Sequence, residues 1–193
     1  KDIDLILVAS ISGDADFPGV ACFLQDKLGL NGIATLDIRQ QCSGFVYGMV
    51  LADNFIKCGQ YKNILFVGAE IHSKGIDKTT EGRDISVLFG DGAGAVILSA
   101  VESNDSESES RVLASDLHSD GKFAKELWMP APGNCHGPAR MSQEIIDKGL
   151  HFPYMNGKVV FVNAVRRMSE TVLTSLKKLN LEVKDVDLFL FHQ

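Results

Sequence analysis

An α/β fold built on a parallel sheet is predicted by three observations. Short apolar runs suited to strands recur along the first 70 residues: Ile3 to Ala9, "GIATLDI" and "NILFVGAE". Two stretches of helical period separate them, each closed by a glycine. The strand runs are apolar almost throughout rather than alternating, which marks strands covered on both faces. Strand, helix, strand, helix, strand is the order of a parallel α/β layer.

Each element has its own signal. Within "DFPGVACFLQDKLGL", Pro18 suits the first position of a helix and Gly29 its end. The next helix runs from Cys42 to Lys57, apolar nearly all round, and stops at Gly59. Its Gly44 and Gly48, four apart, give up helix propensity for close backbone approach, so this helix is expected at the centre. Ile85 to Phe89 and "AVILSA" read as two strands joined by the glycine turn "GDGAG". Val101 to Ser110, "VESNDSESES", reads as a surface loop or domain boundary, with a disordered segment as the alternative. Arg111 to Pro153 holds four of the five prolines, so short strands and loops are expected there. Lys158 to Leu179 reads as a long helix and "VDLFLFHQ" as a buried strand. That closing helix and strand echo the first half, a hint of internal duplication.

Composition removes several classes. The 193 residues are 45% hydrophobic and 23% charged, enough to bury a core. A net charge of -6 argues against a nucleic-acid footprint, which needs a basic face. The four cysteines, Cys22, Cys42, Cys58 and Cys135, have neither C-x-x-C spacing nor scaffold density, which points to a reduced, cytoplasmic compartment. No apolar run reaches about 18 residues, so no membrane span is expected. "KDIDLILVAS" lacks a secretory layout and reads directly as a strand.

Cys42 is the first candidate for chemistry. It stands where a strand turns into a helix, beside unpaired N–H groups and about half a positive charge. That environment favours a thiolate. The same N–H groups could hold the oxyanion formed when a thioester is attacked. A small thiol packed in a helix is the competing reading. His192 ends the apolar run "DLFLF" at a sheet edge, where α/β proteins place ligands, and it could hydrogen-bond a substrate carbonyl. A surface histidine after a strand is the alternative. His72, His118, His136 and His151 lack metal-ligand spacing and read as structural or solvated. The glycines of "FGDGAGAVIL" precede a strand, not a helix, so the dinucleotide fingerprint fails. A tight turn with backbone close to another element is the surviving reading.

Together these residues resemble the ketoacyl-acyl-carrier-protein synthase III group of the thiolase-like superfamily. The resemblance is carried by "FPGVACFLQDKLG", "DIRQQCSGFVYG", "FGDGAGAVIL", "LHSDG", "MNGKVVF" and the final "HQ". It implies a layered αβαβα fold, incomplete at both ends. Residues 1–100 would be the latter part of the N-terminal half, 101–110 a linker, and 111–193 the first part of the C-terminal half. It implies an acyltransferase of fatty-acid synthesis. Cys42 would take an acyl group from acyl-CoA, and malonyl-acyl carrier protein would then condense with it, His192 stabilising the enolate. No metal or redox cofactor is implied, the coenzyme A thioester being substrate. Substrate-binding positions would be Phe17, which reaches across a homodimer interface, Arg83 at the adenine end of CoA, the pocket residue Phe89, Gly157 beside the pantetheine arm, and Met155 and Phe161 within "MNGKVVF".

The sequence departs from the family in places. Gln40 and Gln41 stand where small residues are usual, Ser43 where alanine is common, and Val162 where a basic residue helps dock carrier protein. These departures raise an alternative: a thiolase-like condensing enzyme with another acceptor, in secondary metabolism or joining two acyl chains. The family's catalytic asparagine and glycine-rich oxyanion loop are expected beyond Gln193. The 193 residues are therefore expected to be a fragment, inactive alone in condensation.

Overall fold

The computed structural model describes residues 2–102, 110–135 and 137–192. His136, Gln193 and most of the acidic stretch within 101–110 lie outside the described residues. The elements in chain order are β1 (Leu5–Ala9), α1 (Val20–Leu28), β2 (Ala34–Ile38), α2 (Gly44–Lys57), β3 (Asn63–Glu70), α3 (Arg83–Ser86), β4 (Gly92–Ser99), β5 (Leu127–Trp128), α4 (Gln143–Asp147), β6 (Tyr154–Met155) and α5 (Gly157–Lys178). They fall into two compact units. One comprises Lys1–Ile71, Asp91–Ser115 and Leu190–Gln193, and the other His72–Gly90 and Asp116–Phe189.

The first unit is a four-stranded sheet in the order β2-β1-β3-β4. β1 lies parallel to both β2 and β3, and β4 runs antiparallel to β3. β1 is buried along its whole length, as its unbroken apolar run predicts. Its two faces feed separate cores. Leu5, Leu7 and Ala9 join Ile64, Phe66 and Ala52 of α2, while Ile6 and Val8 join Ala21 of α1. The two helices therefore cover opposite faces of the sheet.

α2 reaches the sheet through its glycines, as their spacing predicts. Gly44 and Gly48 are both buried. A Cβ on Gly44 would lie 3.0 Å from the Cβ of Ala9, and Phe45 stacks on Phe66 with ring centroids 5.3 Å apart. α1 begins differently from expectation. Gly19, not a residue before Pro18, is its N-cap, and Pro18 lies outside the helix. Asp37 of β2 supplies the missing cap: its carboxylate accepts from the Ala21 N–H at 3.1 Å. Gly29, in the left-handed region at φ 65°, ends the helix as predicted.

The glycine-rich run needs correction. Ile85 to Phe89 is not a strand, because Arg83–Ser86 closes into a helical turn with the Ile85 and Ser86 N–H groups donating to the Gly82 carbonyl. "GDGAG" is not simply a turn either. Gly92 and Gly94 already belong to β4, facing Glu70 and Gly68 of β3. No atom lies within 4 Å of a Cβ placed at Gly90, Gly92 or Gly94, so no neighbour crowds this backbone.

The second unit is loop-rich up to α5, as its prolines predict. It holds the two-stranded sheet β5-β6 and α4, whose N-cap Ser142 accepts from the Ile145 N–H. α5 has Asn156 as N-cap, accepting from the Val159 N–H. The run after it, "VDLFLF", is not the expected buried strand. Leu188 and Leu190 are 69% and 87% exposed, and no described strand pairs with them.

Candidate active site

The sheet order creates the site. β1 leads through α1 to β2 on one side, and β3 leads on to β4 on the other. The carboxyl ends of β1 and β3 are thus adjacent strand ends whose chains depart in opposite directions. In open α/β sheets, ligands bind in the crevice at such a switch point. The register pairs Ala9 with both Ile38 of β2 and Gly68 of β3. The residues just beyond those three positions, Ser10–Ser12, Arg39–Ser43 and Glu70, share that edge.

Cys42 lies on this edge, in a 3₁₀ turn, Gln41–Ser43, that runs directly into α2. The turn is tight: Gln41 takes a left-handed φ of 45°, costly for a residue with a Cβ. Cys42 is solvent-exposed, so a substrate can reach it, and it is not the thiol sealed in a helix core. The expected thiolate-favouring field is not what prevails. Although the residue as a whole is exposed, partial burial of its thiol pushes it up, its own backbone N–H pulls it down, and the Glu70 carboxylate pushes it up again. In the same turn the Ser43 and Gly44 N–H groups donate to the carbonyls of Gln40 and Gln41.

Glu70 was not singled out from sequence. It ends β3 and reaches back across the edge, Oε1 accepting from the Ile11 N–H at 3.0 Å and Oε2 from the Ser12 hydroxyl. The Ser12 oxygen in turn accepts from the Ile71 N–H at 2.7 Å. The one sequence signal was an acidic residue closing the apolar run "NILFVGA" at the end where ligands bind. Beside Glu70, Gly68, Gly92 and Gly94 leave bare backbone with open space above it.

His192 groups with the same unit as Cys42 and is exposed at the end of the extended run after α5. Among the described residues no hydrogen bond or ion pair joins it to Cys42. Phe17 is 83% exposed, just before α1.

The other predicted residues lie in the second unit. Arg83, Met155 and Gly157, far apart in sequence, line one open cleft of about 550 Å³ together with Asp84 and Val87. Arg83 is paired only loosely, its Nε 4.0 Å from Asp84, and its side chain is largely exposed. Phe89 is not in the lining. It packs edge-on against His72 at 5.3 Å between ring centroids. Phe161 is 69% exposed on α5. Among the described residues, no group of three or more His, Cys, Asp or Glu side chains could hold a metal ion. No helix among them is long and apolar enough to cross a membrane.

Known proteins resemble this chain in sequence and in fold. Residues 36–121, which carry Cys42 and the glycine run, match the family described as 3-oxoacyl-[acyl-carrier-protein (ACP)] synthase III. The whole chain is 40% identical to β-ketoacyl-[acyl-carrier-protein] synthase III of Caldanaerobacter subterraneus subsp. tengcongensis, covering 55% of that protein. It is equally similar, at 40%, to the enzyme of that name from Clostridioides difficile, covering 56% of it. The crystal structure of 3-oxoacyl-[acyl-carrier-protein] synthase III from Aquifex aeolicus superposes with a TM-score of 0.78 at 34% identity, over 96% of this chain and 52% of that one. The chain therefore spans about half the length of the curated relatives it matches.

Proposed function

Because the chain belongs to the 3-oxoacyl-[acyl-carrier-protein] synthase III family, with its thiolase-like α/β fold, we propose that it carries the acyl-accepting sulfur of a condensing enzyme. The observation that supports this most is Cys42, solvent-exposed in a tight turn at the carboxyl edge of the sheet. The Cys42 sulfur attacks the carbonyl carbon of an acyl-CoA. The bond from that carbon to the CoA sulfur breaks, and the proton from the thiol ends on the CoA thiol. Malonyl-acyl carrier protein then loses CO₂, and His192 stabilises the enolate oxygen. The resulting carbanion attacks the acyl-cysteine, forming a carbon–carbon bond as the carbon–sulfur bond breaks, and the departing sulfur takes a proton from water to return the free thiol. The product is a β-ketoacyl-acyl carrier protein, the first condensation of fatty-acid synthesis.

The cleft of Arg83, Met155 and Gly157 suits the CoA end of the substrate: a cation with a weak partner can meet phosphate, and Met155 offers an apolar wall. In this reading Phe17, Phe89 and Phe161 contact the acyl or pantetheine chain. Phe17 does so across a homodimer interface, and the enzyme works in the cytoplasm without nucleic acid, membrane or added cofactor.

Incubating the full-length protein with radiolabelled acetyl-CoA tests the central step. Label should be lost from a Cys42→Ala variant, and retention of label there would show that another residue is the nucleophile. Substituting His192 should spare this acylation and slow condensation. Equal loss of both steps would remove the separation of roles.

A second acceptor is favoured by one observation. Val162 is 54% exposed, so an apolar side chain faces solvent where family members commonly carry a basic residue for carrier docking. A thiolase-like condensing enzyme with a different acceptor fits that surface. Ordinary turnover with malonyl-acyl carrier protein would remove its support.

A further inference from the structure

The cleft that Arg83, Met155 and Gly157 line holds a second charge with no place in the steps above. Asp84 also lines it, one carboxylate oxygen 4.0 Å from the Arg83 Nε and its side chain 92% exposed. Both residues stand on the short helical turn α3, so adjacent positions in the chain bring one cation and one anion to the same opening. The other lining residues, Val87, Met155 and Gly157, are uncharged, and the lining is neutral as a whole. The Asp84 carboxylate is open to solvent, so a phosphate drawn to the guanidinium meets the carboxylate as well. Between unit charges about 4 Å apart in water such repulsion changes binding a few-fold, and salt reduces it.

The proposed reaction needs two thioester carriers in turn. The acyl group arrives on CoA, whose far end bears several phosphates. The spent CoA must leave before the second carrier brings a pantetheine arm that bears one. Arg83 alone would favour the more highly charged of the two, because each added phosphate adds attraction. We infer that Asp84 is a specificity-determining residue of this cleft: its carboxylate offsets Arg83, so that CoA gains little over an arm with a single phosphate and gives way to it after acyl transfer. The inference rests on the reading of this cleft as the place where the carrier end of the substrate binds. It names the class of ligand the cleft takes, a pantetheine arm with its phosphate, rather than the full nucleotide end of CoA.

The test is calorimetric titration of the full-length protein with CoA and, separately, with phosphopantetheine, read as the ratio of the two affinities. At a salt concentration of about 0.05 M, Asp84→Asn should raise that ratio in favour of CoA about threefold. Asp84→Ser should do the same, and it decides the matter if the asparagine variant does not fold. Asp84→Glu keeps the charge and should leave the ratio in place. At about 0.5 M salt the difference between Asp84→Asn and wild type should shrink, which a purely structural role for this side chain would not produce. An unchanged ratio in the folded asparagine or serine variant overturns the inference, as does a rise that Asp84→Glu reproduces or that salt does not reduce. Arg83→Gln separates this from the reading of the cleft. If it weakens CoA binding while the Asp84 variants leave the ratio unchanged, the inference fails and the cleft remains the carrier site. If neither Arg83→Gln nor Asp84→Asn alters binding of CoA or phosphopantetheine, the carrier binds elsewhere and both fall.

Discussion

Gly48 sits so close against the ring of Phe66 that a Cβ on it would fall 2.1 Å from Cζ. Phe66 is fully buried on β3, so the ring has little room to retreat. This contact fixes how closely α2 lies on the sheet, and hence where the turn bearing Cys42 meets the strand ends. Gly48→Ala gains about 1 kcal/mol of helix propensity but overpacks a closed core, which costs about 1–3 kcal/mol. We expect a net loss of stability in urea denaturation and a drop in Cys42 acylation. A variant at least as stable as wild type would show that α2 shifts freely.

Asp37 is predicted to be a cap supplied from outside its helix. Gly19, the N-cap of α1, has no side chain to offer, and a Cβ there would fall on the Asp37 carboxylate. Asp37→Ala should therefore cost about 1 kcal/mol, the usual value of a lost cap. Asp37→Asn, which keeps an acceptor, should cost less. Equal losses in chemical denaturation would mean that charge rather than hydrogen bonding matters at this position.

The parts of the fold that were legible in the sequence are those where local pattern and tertiary environment agree. β1 reads as a doubly covered strand and is one. The glycines of α2 read as a close contact, and Phe66 is that contact. Where pattern alone misled, the missing information was a partner. "DLFLF" looks like a strand, but no described strand runs through it. Residues 85–89 look like a strand, but the Gly82 carbonyl captures their first N–H groups. The N-terminus of α1 was misplaced because its cap comes from residue 37, which sequence proximity cannot reveal. Of the candidate site, Cys42 was visible from its strand-to-helix position. Glu70 was not, because its role depends on reaching across the sheet edge to residues 11 and 12. The direction of the Cys42 shift was also hidden: the sequence shows a helix start, but not how the fold buries the thiol or brings the Glu70 carboxylate near it.

The Arg83 cleft makes a binding prediction. If it takes a phosphate of CoA, Arg83→Glu should weaken CoA binding by the full-length protein about tenfold, the equivalent of about 1.4 kcal/mol. The wild-type affinity should itself fall as salt rises, because Arg83 is exposed and its field is screened. Isothermal titration with CoA at two salt concentrations measures both effects. Unchanged affinity in the variant would move the CoA site elsewhere.

Asp116 predicts a limb of acid sensitivity in the second unit. Its side chain is only 9% exposed, with the Lys178 amine at 2.7 Å and the His118 ring at 3.2 Å. The hydrogen bond from Lys178, followed by that from His118, holds the carboxyl below the usual carboxylate range. A depressed folded-state pKa means that the unfolded chain takes up the proton first as pH falls. The stabilisation is therefore complete above the unfolded value of about 3.9 and disappears as pH drops through the lower folded value. Asp116→Asn should be less stable than wild type at pH 7, with the gap closing as pH falls below about 4. Urea midpoints for both proteins across that range measure it. A gap that stays constant down to the acid limit would show that the ion pair on Lys178 contributes nothing to how α5 is held.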